Sequence, residues 1–282
     1  MTTTAQHAQP IVGLIGAGNM ARSLAGGLLN NGWPKARLLL ADPDANQRMG
    51  AQEALGVSVY EDNAEVAGRA EILVLAIKPQ AMVEAARALA PHVQERRPLV
   101  VSLAAGVRLN DIERWLGGGL AMVRVMPNTP ALVGSGASGM YANERVDARG
   151  RDQAESILRA VGVTVWVENE ALIDVVTALS GSGPAYFFLM MEALERAAVE
   201  QGLDPKQARL LTLETAFGAA KMALEGGEEP ALLRRRVTSP GGTTEAAIHV
   251  FEDSGMRRLC KEAVTAAIKR ARELGDMFGA AK

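Results

Sequence analysis

The stretch "IVGLIGAGNMA", Ile11–Ala21, decides the fold. Its first half is a short apolar run, and its second half sets Gly16, Gly18 and Ala21 in a G-x-G-x-x-A spacing from which a helix opens. The first glycine permits a tight turn, the second lets a pyrophosphate approach the backbone, and the small third residue lets the helix sit close to the sheet. Unpaired N–H groups at the helix start favour an anion there. Asp42 ends the next apolar run, "RLLLAD" from Arg37, where an acid binds a ribose diol and repels a 2′-phosphate. Arg48 stands within reach of such a phosphate, so the tilt toward NADH over NADPH is mild.

Working outward, the runs "EILVLAI" from Glu71, "PLVVSLAA" from Pro98 and "LAMVRVM" from Leu120 are too uniformly apolar for strands with one wet face. They suit central parallel strands covered on both sides. The segments between them, such as "NMARSLAGGLLNNG" and "QAMVEAARALAPHV", space apolar residues as helices do. An α/β, doubly wound, mainly parallel sheet follows over residues 11–170. Two more strand ends point at the ligand crevice: "AIKPQ" (Ala76–Gln80), where Pro79 turns the chain and Lys78 offers a cation, and "SLAAG" (Ser102–Gly106). An ordinary solvated lysine explains Lys78 equally well.

Beyond Glu168 the strand signal stops, and residues 171–282 read as an all-α domain. "PAYFFLMMEALERAAVEQGL" and "ARLLTLETAFGAAKMALEGG" are apolar on more than one face, and a helix of that kind must be buried. A single small domain has little interior for several of them, which predicts a dimer core shared with a second copy over a self-contained bundle.

Composition excludes other classes. A net charge of -2 over 282 residues leaves no electrostatic footprint for nucleic acid or an anionic membrane. One cysteine, Cys260, rules out an internal disulfide and a thiolate cluster, and the scattered His7, His92 and His249 make a metal site unpromising. "MTTTAQHAQP" lacks the basic head and apolar stretch of a signal peptide, and reads as a disordered tail over residues 1–10. The most apolar later segment, from Val175, is broken by Ser, Gly and Pro and carries Glu192, so a poor membrane span and a cytoplasmic location are expected.

Two glycine-rich corners open helices in the second half: "SGSGPAYFF" from Ser180 and "TSPGGTTEAAI" from Thr238. Pro184 suits a first helical position. In the second corner the backbone of Gly241–Thr244 offers a seat for a ligand carboxylate, with the Ser239 hydroxyl nearby. N-capping by Thr243 or Thr244 is the plainer use of those hydroxyls.

"IGAGNMA", "AIKPQ", "SLAAGV", "VMPNTPALVGSG", "LSGSGPAYFF" and "VTSPGGTTEAAI", in that order, resemble the pyrroline-5-carboxylate reductases, from about Ile11 to the end. The resemblance implies a Rossmann domain, a helical dimerisation domain, and NADPH- or NADH-dependent reduction of 1-pyrroline-5-carboxylate to L-proline, the last step of proline biosynthesis. It also implies an active site between one subunit's cofactor and the helical domain of a homodimer, with decamers of five dimers among relatives. Ile15, Gly16, Ala17, Gly18, Asn19 and Met20 would hold the pyrophosphate, and Asp42 and Asn63 would lie near the adenosine. Ala76, Ile77, Lys78 and Pro79, with Ala104, Ala105 and Gly106, would line the nicotinamide side. Ser239, Gly242, Thr243 and Thr244 match the substrate loop, with Thr244 and Ser239 as the catalytic hydroxyls and Thr244 facing the ring nitrogen. Relatives that favour NADPH often carry serine where Asp42 stands.

Reducing a C=N bond takes a hydride from the nicotinamide, a proton on nitrogen and correct orientation, and needs neither metal nor strong acid. A β-hydroxyacid dehydrogenase shares the architecture but requires a proton carrier; the helix Pro184–Gln201 contains no lysine to serve as one. A non-catalytic dinucleotide-binding redox sensor would keep "GAGNMA" but has no use for a small anion seat.

Overall fold

The computed structural model describes residues 9–280; of the expected tail, residues 1–8 lie outside the described residues. The apolar runs form strands β1 (Val12–Ile15), β2 (Leu38–Ala41), β4 (Ile72–Leu75) and β5 (Leu99–Ser102), each buried at every position. β6 (Met122–Met126) follows the same rule in its first four residues. Three further strands carry no such run: β3 (Ser58–Tyr60), β7 (Gly136–Ala142) and β8 (Gly162–Trp166). β3 and β8 sit at the two sheet edges, where half-exposed residues suffice, and β7 is built from small residues.

The eight strands run in the order β3-β2-β1-β4-β5-β6-β7-β8. All pairings are parallel except β6 with β7. β1 lies between β2 and β4, with Gly13 opposite both Leu39 and Leu73. The chain therefore leaves β1 toward one side and returns at β4 on the other, and the crevice outside their carboxyl ends is where such a sheet binds ligand. Helices α1 (Asn19–Asn30), α2 (Ala45–Leu55), α3 (Asn63–Ala67), α4 (Met82–Arg96), α5 (Leu109–Trp115) and α6 (Ala148–Arg159) cover the sheet. α1 buries Ala21, Leu24, Ala25 and Leu28, the single stripe expected of a covering helix.

The remaining helices are α7 (Leu172–Val176), α8 (Gly183–Glu200), α9 (Pro205–Gly226), α10 (Pro230–Arg236), α11 (Thr243–Asp253) and α12 (Met256–Gly279). Two compact units result: one holds the described residues up to Ser182 and from Ala267 onward, the other Gly183–Ala266. The structural division therefore differs from a break at residue 170. α7 belongs to the first unit because Arg124 of β6, almost fully buried, pairs with Glu170 at 3.0 Å and Asp174 at 3.7 Å. The end of α12 belongs there because Asp276 pairs with Arg108 at 2.7 Å.

Within Gly183–Ala266 only Gly183 and Ala208 are buried. Phe187, Phe217 and Leu224 are 66%, 64% and 83% exposed, so a lone copy of these helices has no core of its own. Leu172–Glu200 is long and apolar enough to cross a membrane by length and composition alone, against the expectation from its Ser, Gly and Pro. The stretch is interrupted by a π-helical turn over Thr177–Gly181, and α8 carries Glu192, Glu195, Arg196 and Glu200.

Candidate functional site

The turn from β1 into α1 demands glycine. Gly16 adopts φ 97°, and a Cβ there would stand 2.6 Å from the Ala76 carbonyl oxygen at the end of β4. Only glycine tolerates both. Gly18 precedes α1 in an extended conformation, no side chain caps the helix, and its absent Cβ leaves open space. A phosphate group meets free N–H groups and no steric wall there.

Asp42 is fixed from two sides. Its Oδ2 accepts from the Ala17 N–H at 2.8 Å and its Oδ1 from the Asp44 N–H at 2.9 Å. Arg48 donates to the Asp42 and Pro43 carbonyls at 2.9 and 2.8 Å and pairs with Glu61 at 3.1 Å. Arg48 thus sits beside Asp42, held by three acceptors of its own chain.

A cavity of about 540 Å³ lies along this crevice. Of the expected cofactor residues, Ile15, Gly16, Gly18, Asp42, Asn63, Ala76, Ile77 and Lys78 line it. Ala17, Asn19, Met20 and Pro79 sit between or beside them in the chain without lining the cavity. Ala104, Ala105 and Gly106 follow β5, the next strand over, and are not part of its wall. Gln47 of α2 and Glu84 of α4 also line the cavity, although nothing in the sequence pointed to them. Each lies in the first turn of the helix following a strand-end motif, the signal that would have found them. The Asn63 Oδ1 is buried with no hydrogen-bond partner. An orphaned acceptor costs about 1–3 kcal/mol, which a ligand donor offsets, and the wall thus fits an adenosine.

The "VMPNTPALVGSG" and "LSGSGPAYFF" motifs are tied together by Asn128, which donates to the Ser180 carbonyl at 3.1 Å and accepts from the Ala137 N–H at 2.9 Å. These bonds lie inside the first unit, which takes in the second motif only as far as Ser182.

In the other unit, Gly241 adopts φ 70° and Gly242 precedes α11. Neither Thr243 nor Thr244 caps that helix. Glu245 reaches back instead, its Oε2 accepting from the Gly241 N–H at 2.7 Å, while the Gly242 N–H goes to the Ser239 carbonyl at 3.0 Å. Two of the four amides expected to seat a carboxylate are therefore occupied within the chain. The first-turn N–H groups of Thr243 and Thr244, with their hydroxyls, remain for a ligand. Thr244 is half-buried, and Ser239 and Thr243 are exposed.

A glycine turn at the switch point of a parallel sheet, an acid at the end of the second strand and an appended helical unit define a dinucleotide-dependent oxidoreductase. Residues 170–274 match the family described as pyrroline-5-carboxylate reductase dimerisation, and residues 11–106 one described as NADP oxidoreductase coenzyme F420-dependent. A pyrroline-5-carboxylate reductase of Pseudomonas aeruginosa is 50% identical over 270 residues, covering 96% of this chain and 98% of that protein. One from Glycine max is 39% identical over 93% of this chain and 95% of its own length. The solved structure of a Coxiella burnetii pyrroline-5-carboxylate reductase superimposes with a TM-score of 0.91 at 46% identity, over 94% of this chain and 98% of that one. The chain belongs to the pyrroline-5-carboxylate reductase family. It is an NAD(P)H-dependent enzyme that reduces the C=N bond of 1-pyrroline-5-carboxylate to L-proline, and it works as a homo-oligomer.

Proposed function

We propose that the reduction is carried out by the cavity outside β1 and β4, acting with the start of α11. Ile15–Met20 hold the pyrophosphate, Asp42 and Asn63 the adenosine, and Ala76–Pro79 with Ala104–Gly106 the nicotinamide side. The nicotinamide supplies the hydride when bound. The substrate carboxylate rests on the N–H groups of Thr243 and Thr244, where the helix dipole favours negative charge. The Thr244 hydroxyl oxygen accepts from the N–H of the protonated ring nitrogen, holding it in position, and the Ser239 hydroxyl orients the carboxylate. An imine that arrives protonated needs no strong acid, and none of the proposed groups is one. Alignment of the two reacting carbons contributes up to about 7–11 kcal/mol in favourable cases.

The observation that carries this reading is the helix start behind Gly242, left without a side-chain cap although two threonines stand in its first turn. The functional division is a dinucleotide-binding part over residues 11–170 and a substrate-binding, dimerisation part over residues 171–282. The assembly unit is a dimer in which the exposed apolar faces of α8 and α9 cover one another's counterparts. Those faces meet protein, not lipid, and the protein is cytoplasmic. The test is NAD(P)H oxidation with synthetic 1-pyrroline-5-carboxylate. Thr244→Ala is expected to lower kcat by about tenfold to a hundredfold with an unchanged melting temperature; wild-type turnover in that variant removes Thr244 from the chemistry.

A further inference from the structure

We infer that the last turns of α12 are a positioning element for the nicotinamide half of the cofactor. The inference rests on Ala104–Gly106 being the nicotinamide-side turn. With the adenosine ribose at Asp42, the residue after β2, a dinucleotide crosses β1 and β4 and reaches the end of β5, the strand that this turn follows.

The turn holds itself weakly. Its internal closures are two long hydrogen bonds, Val107 N–H to the Ala104 carbonyl and Ala104 N–H to the Ser102 hydroxyl, each at 3.4 Å. Its support comes from α12 instead. A Cβ on Gly106 would stand 3.2 Å from the Leu274 Cβ and 3.5 Å from the Phe278 ring, so these two side chains lie directly against the glycine backbone. Arg108, two residues further, pairs with Asp276 at 2.7 Å and passes within about van der Waals contact of Gly275, where a Cβ would meet its guanidinium at 3.1 Å. Arg114 of α5 donates to the Gly279 carbonyl at 3.0 Å. The turn and the helix after it are thus gripped at several points along the last turns of α12.

The Arg108–Asp276 pair is 42% and 71% exposed, and a pair of that kind contributes little to stability. What it fixes is the direction of the chain leaving the turn, together with the ring packed on Gly106. A reacting carbon misplaced by about 1 Å costs roughly a hundredfold in rate. Leu274, Asp276 and Phe278 are therefore positioning residues that act through the turn.

The experiment uses the full-length enzyme and the variants Phe278→Ala, Leu274→Ala, Asp276→Ala and Asp276→Glu. It measures kcat, the dissociation constants of NADH and of ADP-ribose, and the melting temperature. In the alanine variants kcat is expected to fall about tenfold and NADH binding to weaken, while ADP-ribose, which has no nicotinamide, binds as in wild type; Asp276→Glu restores most of the loss. Equal weakening of NADH and ADP-ribose, or wild-type kcat and NADH affinity in every alanine variant that folds, overturns the inference. Should the wild-type enzyme fail to turn over 1-pyrroline-5-carboxylate, the proposed chemistry fails on its own. The contrast between NADH and ADP-ribose binding still decides the role of α12.

Discussion

At the scale of single residues, the cofactor corner combines what a motif announces with what only contacts reveal. Gly16 is legible because its spacing to Gly18 and Ala21 recurs wherever a pyrophosphate meets a helix start. Its second reason, the Ala76 carbonyl 2.6 Å from the missing Cβ, is invisible in sequence because Ala76 arrives from a strand 60 residues later. Asp42 is similar: its place at the end of β2 was readable, its grip on the Ala17 and Asp44 N–H groups was not. Asp42→Ser is expected to raise the NADPH/NADH ratio of kcat/KM by about tenfold through loss of like-charge repulsion. The same change loosens the pyrophosphate turn, so kcat/KM with NADH falls as well. A steady-state comparison of both cofactors checks this, and an unchanged ratio takes Asp42 off the ribose.

At the scale of elements, the strands that were legible are those buried on both faces. β8 was missed because it needs only one buried face: Val163 and Val165 are 64% and 61% exposed. Its other face is held to α6 by Glu155. That carboxylate accepts from the Trp166 indole N–H at 2.9 Å and the Thr164 hydroxyl at 3.1 Å, and pairs with Arg159 at 2.7 Å. The Trp166 hydrogen bond foremost, then Thr164 and Arg159, hold the Glu155 pKa below its ordinary 4.5. A carboxyl whose folded pKa is depressed stabilises the fold above its unfolded pKa, and that contribution is lost as pH falls through the folded value. Glu155→Gln is therefore expected to lower the melting temperature at pH 7 and to narrow its gap from wild type as the pH falls below about 4.5. Thermal melts across that range check the sign; a gap that widens toward acid refutes it.

At the scale of the whole molecule, the helical unit is the incomplete part. Phe187 and Leu211 line one groove on α8 and α9 and are 66% and 57% exposed. Burying side chains of that size is worth about 1.5–3 kcal/mol each, and the proposed dimer buries them against another copy. Phe187→Glu with Leu211→Glu is expected to give a monomer with little or no activity, read by sedimentation velocity and NAD(P)H turnover. An intact oligomer in that double variant moves the interface elsewhere.

The sequence alone determined the glycine turn after β1, the doubly wound sheet and the need for a second copy. Each follows from patterns local in the chain: glycine spacing, apolar runs and helices apolar on several faces. The tertiary structure decided which groups are already engaged. It tied Arg48 to the Asp42 and Pro43 carbonyls and to Glu61, gave the Gly241 N–H to Glu245, and set Leu274 and Phe278 of α12 against Gly106. Those outcomes depend on pairings between residues brought together from different elements, and no local periodicity encodes which acceptor or ring will stand opposite once the sheet and its helices have closed.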